Sequence, residues 1–189
     1  VGINCKGICL ALDSRGVKPE ELSGILITHE HSDHVKGLDV FAKRYRVPVY
    51  LNQKTWDRLR PRLKYADLMD VRIIDSNSRF VVGDIEVDSF RTPHDAVEPM
   101  GFRLNTGQHL VSVFTDLGRT NEALIDAVAG SDLIYIEANY DPDMLKNGPY
   151  PWDLKQRISG ENGHLSNIEC AEAIIELLKR IKSPIRCPV

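Results

Sequence analysis

Gly24-Ile-Leu-Ile-Thr28 runs directly into His29-Glu-His31-Ser-Asp33-His34, and the fold is decided by how this stretch is read. It holds three of the chain's six histidines. The apolar part is short, β-branched at Ile25, Ile27 and Thr28, and bounded by a glycine, which is the pattern of a buried strand ending where the histidines begin. In an extended chain alternate residues share a face, so His29, His31 and Asp33 converge while Glu30 and Ser32 point elsewhere. His34 falls out of that parity and serves a second point nearby. Imidazole nitrogens with carboxylate oxygens are a ligand set for zinc, manganese or iron rather than for calcium or magnesium.

Other acids and histidines also stand where apolar runs end. Residues 71–74, 79–82 and 85–90 cluster apolar side chains around Gly83-Asp84, which predicts a hairpin leading into Thr92-Pro-His94-Asp95. A second hairpin about Gly107 ends at Asp116, and residues 132–136 predict a buried strand ending at Glu137. His109 occupies an ordinary strand position. Residues 138–152, rich in Asp, Asn, Gly and Pro, read as a long surface loop over the site. His164 sits in a polar loop just before Ser166 and Glu169, a capping box for a helix carrying Ile174, Ile175, Leu177, Leu178 and Ile181. Helices are also predicted from Asn4 to Arg15, from Leu38 to Arg46, and from a Thr120 cap to Ala129. Ligand-type residues at several strand ends describe a site on one rim of a sheet, and the element order suggests two β-layers flanked by helices.

The chain has 189 residues, 42% of them hydrophobic and 27% charged, a composition for one core and a single domain over residues 1–189. No apolar run approaches the ~18–20 residues of a membrane-spanning helix, so no membrane association is expected. Cys5, Cys9, Cys170 and Cys187 lack any Cys-x-x-Cys pair, which favours a cytoplasmic protein. Cys5 and Cys9 lie one helical turn apart, and core thiols are favoured over a metal pair. Residues 43–64 contain Lys43, Arg44, Arg46, Lys54, Arg58, Arg60, Arg62 and Lys64 against Asp57 alone, +7 within a chain of net charge −3. Tyr45, Tyr50, Trp56 and Tyr65 are interleaved with them, a pattern that suits stacking and phosphate contacts with nucleic acid as well as a solvated helix face.

Thr28-His29-Glu30-His31-Ser32-Asp33-His34 resembles the His-x-His-x-Asp-His signature of the metallo-β-lactamase superfamily, and Val35-Lys36-Gly37-Leu38 resembles the helix that leaves this loop. Thr115-Asp-Leu-Gly118, Glu137-Ala-Asn139, Tyr150-Pro-Trp152 and Gly163-His-Leu-Ser-Asn167 are similar to the YycJ/WalJ-like branch, related to the tRNA-processing and β-CASP nucleases. The resemblance implies an α+β fold, the four-layer αββα sandwich, trimmed here at both ends. A second-site histidine is expected beyond Val189, and an aspartate before Val1. Two divalent metal ions are implied, zinc first, with manganese or iron as alternatives. His29, His31 and His94 would hold one and Asp33 and His34 the other, with Asp116 bridging. Such a pair activates water and holds a phosphoryl oxygen. Asp33 would also aim the attacking hydroxide, and His164 would protonate the leaving oxygen or bind phosphate, oriented by Glu137. The function implied is a metal-dependent phosphodiesterase, a 5′ to 3′ exonuclease on double-stranded DNA, with DNA favoured over RNA as partner. The alternatives are a small-molecule metallo-hydrolase of cyclic phosphodiesters, thioesters or lactams on the same fold, and a non-catalytic metal or DNA-binding module.

Overall fold

The computed structural model describes residues 1–180. In chain order they form α1 (Cys5–Asp13), β1 (Ile25–Leu26), α2 (Ser32–Val35), α3 (Leu38–Tyr45), β2 (Val49–Leu51), α4 (Gln53–Leu59), β3 (Val71–Ile73), β4 (Arg79–Val82) and β5 (Ile85–Arg91). There follow β6 (Met100–Asn105), β7 (Leu110–Phe114), α5 (Glu122–Val128), β8 (Leu133–Ile136), α6 (Pro142–Asn147), α7 (Trp152–Ile158) and α8 (Asn167–Arg180).

The first three strands form a parallel sheet in sequence order, with Val49 opposite both Ile25 and Val71. Parallel neighbours need a crossover, and helices supply it: α2 and α3 between β1 and β2, α4 between β2 and β3. Val49, Tyr50 and Leu51 are all buried, as a central strand covered on both faces requires. Their period of two sends Val49 and Leu51 to Leu38 and Phe41 of α3 and Leu59 of α4. Tyr50 turns the other way, to Val82, Val87, Met100 and Phe102. Those residues belong to the second sheet, ordered β4-β5-β6-β7-β8, antiparallel except for the β7-β8 pair. Its far face packs Phe114 with Leu124, Ile125 and Val128 of α5 and Cys170, Ala173 and Leu177 of α8. Apolar clusters thus fill the gaps of a helix, sheet, sheet, helix stack, which is the αββα sandwich. Leu38 and Phe41, both fully buried, contribute roughly 1.5–3 kcal/mol each.

Several elements depart from the expectations drawn from sequence. Residues 71–73 pair with β2 and not with the β4-β5 hairpin, because the α4 crossover carries them into the first sheet. β8 is half-exposed rather than buried: it is an edge strand, and only its Ile134 and Ile136 face is covered, leaving Tyr135 56% exposed. Asn121, not Thr120, caps α5, its side chain accepting from Leu124 N at 2.9 Å. Residues 138–152 are not a continuous loop, since Asp141 caps α6 by accepting from Met144 N at 2.9 Å and Pro142 opens its first turn. The capping box of α8 forms as expected, with Glu169 N donating to Ser166 Oγ at 3.2 Å and Ser166 N to Glu169 Oε2 at 2.9 Å. Ile174, Ile175 and Leu178 face outward on that helix, and Ile181 lies outside the described residues, as does Cys187. Cys5 and Cys9 pack half-buried on the first cluster with Ile8 and Leu12, whereas Leu10 is exposed. No helix of the described residues is long and apolar enough to cross a membrane.

Candidate metal centre

The motif loop begins where the first sheet touches the second. The β1 ladder stops at Leu26, Ile27 N still donates to Tyr50 O at 3.0 Å, and Thr28 O accepts from Met100 N of β6 at 3.0 Å. That last bond sets the histidines at the seam between the sheets. At Ser32 the backbone turns into α2 with His31 as its N-cap, so alternation holds for His29 and His31 and fails for Asp33. Asp33 leaves the cluster's interior, its side chain 79% exposed and Oδ2 3.7 Å from His34 Nε2. The same turn brings the His34 ring back to within 4.1 Å of His29, centroid to centroid.

His29, His31 and His94 form one group whose donor nitrogens lie within 4.8 Å of one another. His94 arrives at the end of β5 and is fixed by its Nδ1, which donates to the Gly163 carbonyl at 2.9 Å. Nε2 is then the bare nitrogen, and it faces His31 Nδ1 at 3.3 Å. His29 is held through Nδ1 by Thr28 Oγ1 at 3.1 Å, while its Nε2 is fully buried with no partner among the described residues. An unpartnered buried nitrogen is costly unless something outside the protein uses it. Three imidazoles, each able to turn one free nitrogen to a common point, fit a divalent ion, and the bonds to Thr28 and Gly163 are the outer contacts that orient such ligands.

A second group joins His29 to His34 and Asp116, and a third joins His94, Asp116 and His164. Asp116 follows β7 in the left-handed region, φ 53°, which aspartate tolerates better than most residues. Its Oδ2 accepts from His34 Nε2 at 2.6 Å. Burial works against the Asp116 charge, yet the His34 hydrogen bond and charge outweigh it and hold the carboxyl at about 2. Burial likewise opposes the charge on His34, but the bond to Asp116 raises its pKa overall. His29 is pushed down to about 3, first by burial and then by the charge on His34. At neutral pH the deepest candidate ligand is therefore uncharged, the form that binds metal.

Glu137, at the end of β8, meets His164: Oε1 accepts from the ring's Nδ1 at 2.8 Å. Its Oε2 accepts from Leu117 N at 2.9 Å and Leu165 N at 3.1 Å, so one carboxylate clamps both loops as well as the ring. The Glu137 bond, against burial, raises the pKa of His164. Asp116 Oδ1 lies 3.5 Å from the same Nδ1. Close backbone approach positions this loop, since a Cβ on Gly163 would meet the Arg157 and Ile158 carbonyls at 2.2 Å and one on Gly118 would meet Glu161 O at 2.3 Å.

All the sequence-derived ligands except Asp33 thus share these three groups, and Glu137 and His164 are paired. Sequence reading missed Asp95, whose Oδ1 lies 3.3 Å from His94 Nε2 and whose Oδ2 accepts from Arg157 Nε at 2.5 Å. It also missed Glu30, buried in the loop with Oε1 accepting from Val97 N at 3.0 Å. Asp95 directly follows His94, and that adjacency was the available signal. His109 is a surface residue, 3.6 Å from Asp132.

The basic segment reaches the loop, but not in the form expected. Arg62 Nη2 donates to Glu30 O at 2.7 Å, Lys54 pairs with Glu98 at 2.9 Å, and Arg60 with Asp67 at 3.2 Å. Arg58 makes neither a hydrogen bond nor an ion pair among the described residues. The interleaved aromatics are not a stacking surface: Tyr50 is buried, Trp56 packs on the first cluster, and Tyr65 lies under Lys43, 4.3 Å from its ring centroid. A groove of about 660 Å³ lined by Ser32, Asp33, Lys36 and Arg62 runs from this segment to the metal loop.

The profile of the Beta-lactamase superfamily domain matches residues 11–186. The chain belongs to that superfamily. As a beta-lactamase superfamily member it is 39% identical over 180 residues to exodeoxyribonuclease WalJ of Streptococcus pneumoniae serotype 2 (strain D39), covering 94% of this chain and 66% of that protein. To exodeoxyribonuclease YycJ of Bacillus anthracis it is 37% identical over 158 residues, 84% of this chain and 60% of that protein. The chain therefore spans somewhat under two thirds of the length of these curated relatives. The metallo-beta-lactamase fold protein YhfI of Bacillus subtilis is similar in fold at a TM-score of 0.66 and 19% identity, over 89% of this chain and 66% of that one.

Proposed function

We propose that this superfamily member is a DNA phosphodiesterase, a cytoplasmic 5′ to 3′ exonuclease on double-stranded DNA that uses two divalent metal ions, zinc ahead of manganese or iron. The observation that carries the reading is the His164–Glu137 pair beside Asp116: a ring held at Nδ1, with a raised pKa, next to a three-histidine cluster. Both relatives' names, exodeoxyribonuclease, point the same way.

His29, His31 and His94 would hold one ion and His34 with Asp116 the other, and the ions would supply Lewis-acid polarisation of a phosphoryl oxygen and of the attacking water. The chain's own residues do the rest. Asp33, exposed at the edge of the cluster, accepts a hydrogen bond from the attacking water and orients it. Water oxygen bonds to phosphorus as its proton passes to Asp33, the P–O bond to the leaving 3′ oxygen breaks, and that oxygen takes a proton from His164 Nε2. Glu137 stabilises the charged ring through Nδ1 and, by its two backbone bonds, keeps the ring in place. Lys36 in the groove beside Asp33 contacts the phosphate backbone, and the exposed Arg58 of α4 adds a cation on the neighbouring basic segment.

The test uses 5′- and 3′-end-labelled single- and double-stranded DNA, RNA, and a bis-phosphodiester chromogen, each with zinc or manganese added. Release of labelled mononucleotide from 5′-labelled duplex is the expected result. Turnover of the chromogen, a thioester or a lactam with every polynucleotide intact would overturn the proposal.

A further inference from the structure

Beside His164 a cavity of about 290 Å³ opens on the metal centre, lined by Asn139, Tyr150, Leu154, Arg157, Ile158 and His164 among others. Tyr150 and Trp152, from the Tyr-Pro-Trp stretch before α7, are 54% and 70% exposed and belong to none of the apolar clusters. Leu154 and Ile158, one turn apart on α7, add an apolar wall. Arg157 spends Nε on Asp95, and among the described residues neither Nη makes a hydrogen bond. Asn139 Nδ2 donates to Glu137 Oε1 at 3.1 Å, which leaves its carbonyl oxygen for a ligand. One wall therefore offers an aromatic face and aliphatic side chains, another a guanidinium and an amide, and the third element is the proton donor. A base, a phosphate and a leaving oxygen need those three surroundings together.

We propose that this cavity receives the nucleotide that departs with the leaving oxygen, as one unpaired unit: base against Tyr150, 5′-phosphate on Arg157, 3′ oxygen at His164. The inference rests on the phosphodiesterase reading and extends it to the identity of the departing piece. The cavity lies at the small end of ligand sites, about 300–1,000 Å³, so it admits one nucleotide and not a base pair. The end of a duplex must then fray before its terminal nucleotide is cut.

Two measurements on the full-length protein test this. The first is binding of deoxyadenosine 5′-monophosphate, deoxyadenosine and deoxyribose 5-phosphate, followed by calorimetry and by quenching of Trp152 fluorescence in a Trp56→Phe background. The monophosphate is expected to bind at least about tenfold more tightly than either fragment, with Tyr150→Ala removing the advantage of the base and Arg157→Gln that of the phosphate. Tyr150→Phe, which keeps the ring, should bind like wild type, and it controls for misfolding in the alanine variant. The second is cleavage of duplexes with a paired, a mismatched or an abasic 5′-terminal nucleotide. The mismatched end should be cut faster than the paired end, and the abasic end about tenfold or more slower. Equal affinity for the monophosphate and deoxyribose 5-phosphate, or equal rates on abasic and ordinary ends, overturns the proposal. Failure of the nuclease reading looks different: no polynucleotide is cut by wild type, whatever the binding data show.

Discussion

Replacing His164 by alanine removes the ring that Glu137 holds, and the consequence can be sized from its surroundings. The three-histidine group does not include His164, and the Glu137 carboxylate keeps its bonds from Leu117 N and Leu165 N, so the histidine-held metal and both loops should persist. What is lost is one charge-assisted bond of 2.8 Å, about 1.5–3 kcal/mol of local stability. The proton for the leaving oxygen goes with it. Loss of a general acid costs roughly two to four powers of ten in turnover, or about 2.7–5.4 kcal/mol of barrier. Glu137→Gln is milder. With its oxygen placed to accept from the two backbone N–H groups, its amide nitrogen turns toward His164 Nδ1 and no longer stabilises the charged ring. A smaller loss in the same direction is expected. The assay compares duplex DNA with a nitrophenyl phosphodiester, at matched metal content by elemental analysis. Nitrophenolate needs little protonation, so the variant should keep most of its rate on that substrate. If His164→Ala slows both substrates equally, the residue binds phosphate or holds the loop and is not the general acid.

His31→Ala should remove both metal and activity, whereas Asp33→Ala, exposed and outside the three ligand groups, should keep the histidine-held metal and lose turnover; full metal in the His31 variant would sink the assignment. Arg58→Glu should weaken duplex binding and reduce the slope of log affinity against log salt by about 1, with chromogen hydrolysis unchanged. Arg62→Ala, in contrast, should slow both substrates, because its guanidinium is bonded to the Glu30 carbonyl in the metal loop; an effect on DNA alone would make it a phosphate contact. Burial opposes the Asp88 charge, but bonds from Arg79 and Arg103 outweigh it and hold its carboxyl below the usual range. A depressed folded pKa contributes stability above the unfolded value and loses it as pH falls. Asp88→Asn should therefore cost about 1–2 kcal/mol at neutral pH, discounted because Arg79 is largely exposed, and the gap in Tm from wild type should close as the pH falls through and below the usual carboxylate range. A gap that persists in acid would mean that packing, not charge, is lost.

The His-x-His spacing was legible from sequence because it depends only on local alternation in an extended chain, and the capping box of α8 for the same reason. The hairpins about Gly83 and Gly107 were legible too, since their turn residues lie between the strands they join. Asp33 escaped that logic when Ser32 began a helix, and one turn of α-helix moves a side chain off the face that strand parity assigns it. Residues 71–73 looked like part of a hairpin, yet which sheet a strand joins is decided by the crossover before it, a contact that periodicity does not encode. Sequence named His94, Asp116, Glu137 and His164 as ends of separate runs. Only the packing of two sheets across Tyr50, Met100 and Phe102 brings those ends to one seam. Arg62 shows the same limit from the other side, for its charge was visible in the sequence but its bond to a carbonyl thirty-two positions earlier was not. Local geometry is written into neighbouring residues, whereas convergence of distant ones is produced by burying the surfaces between them.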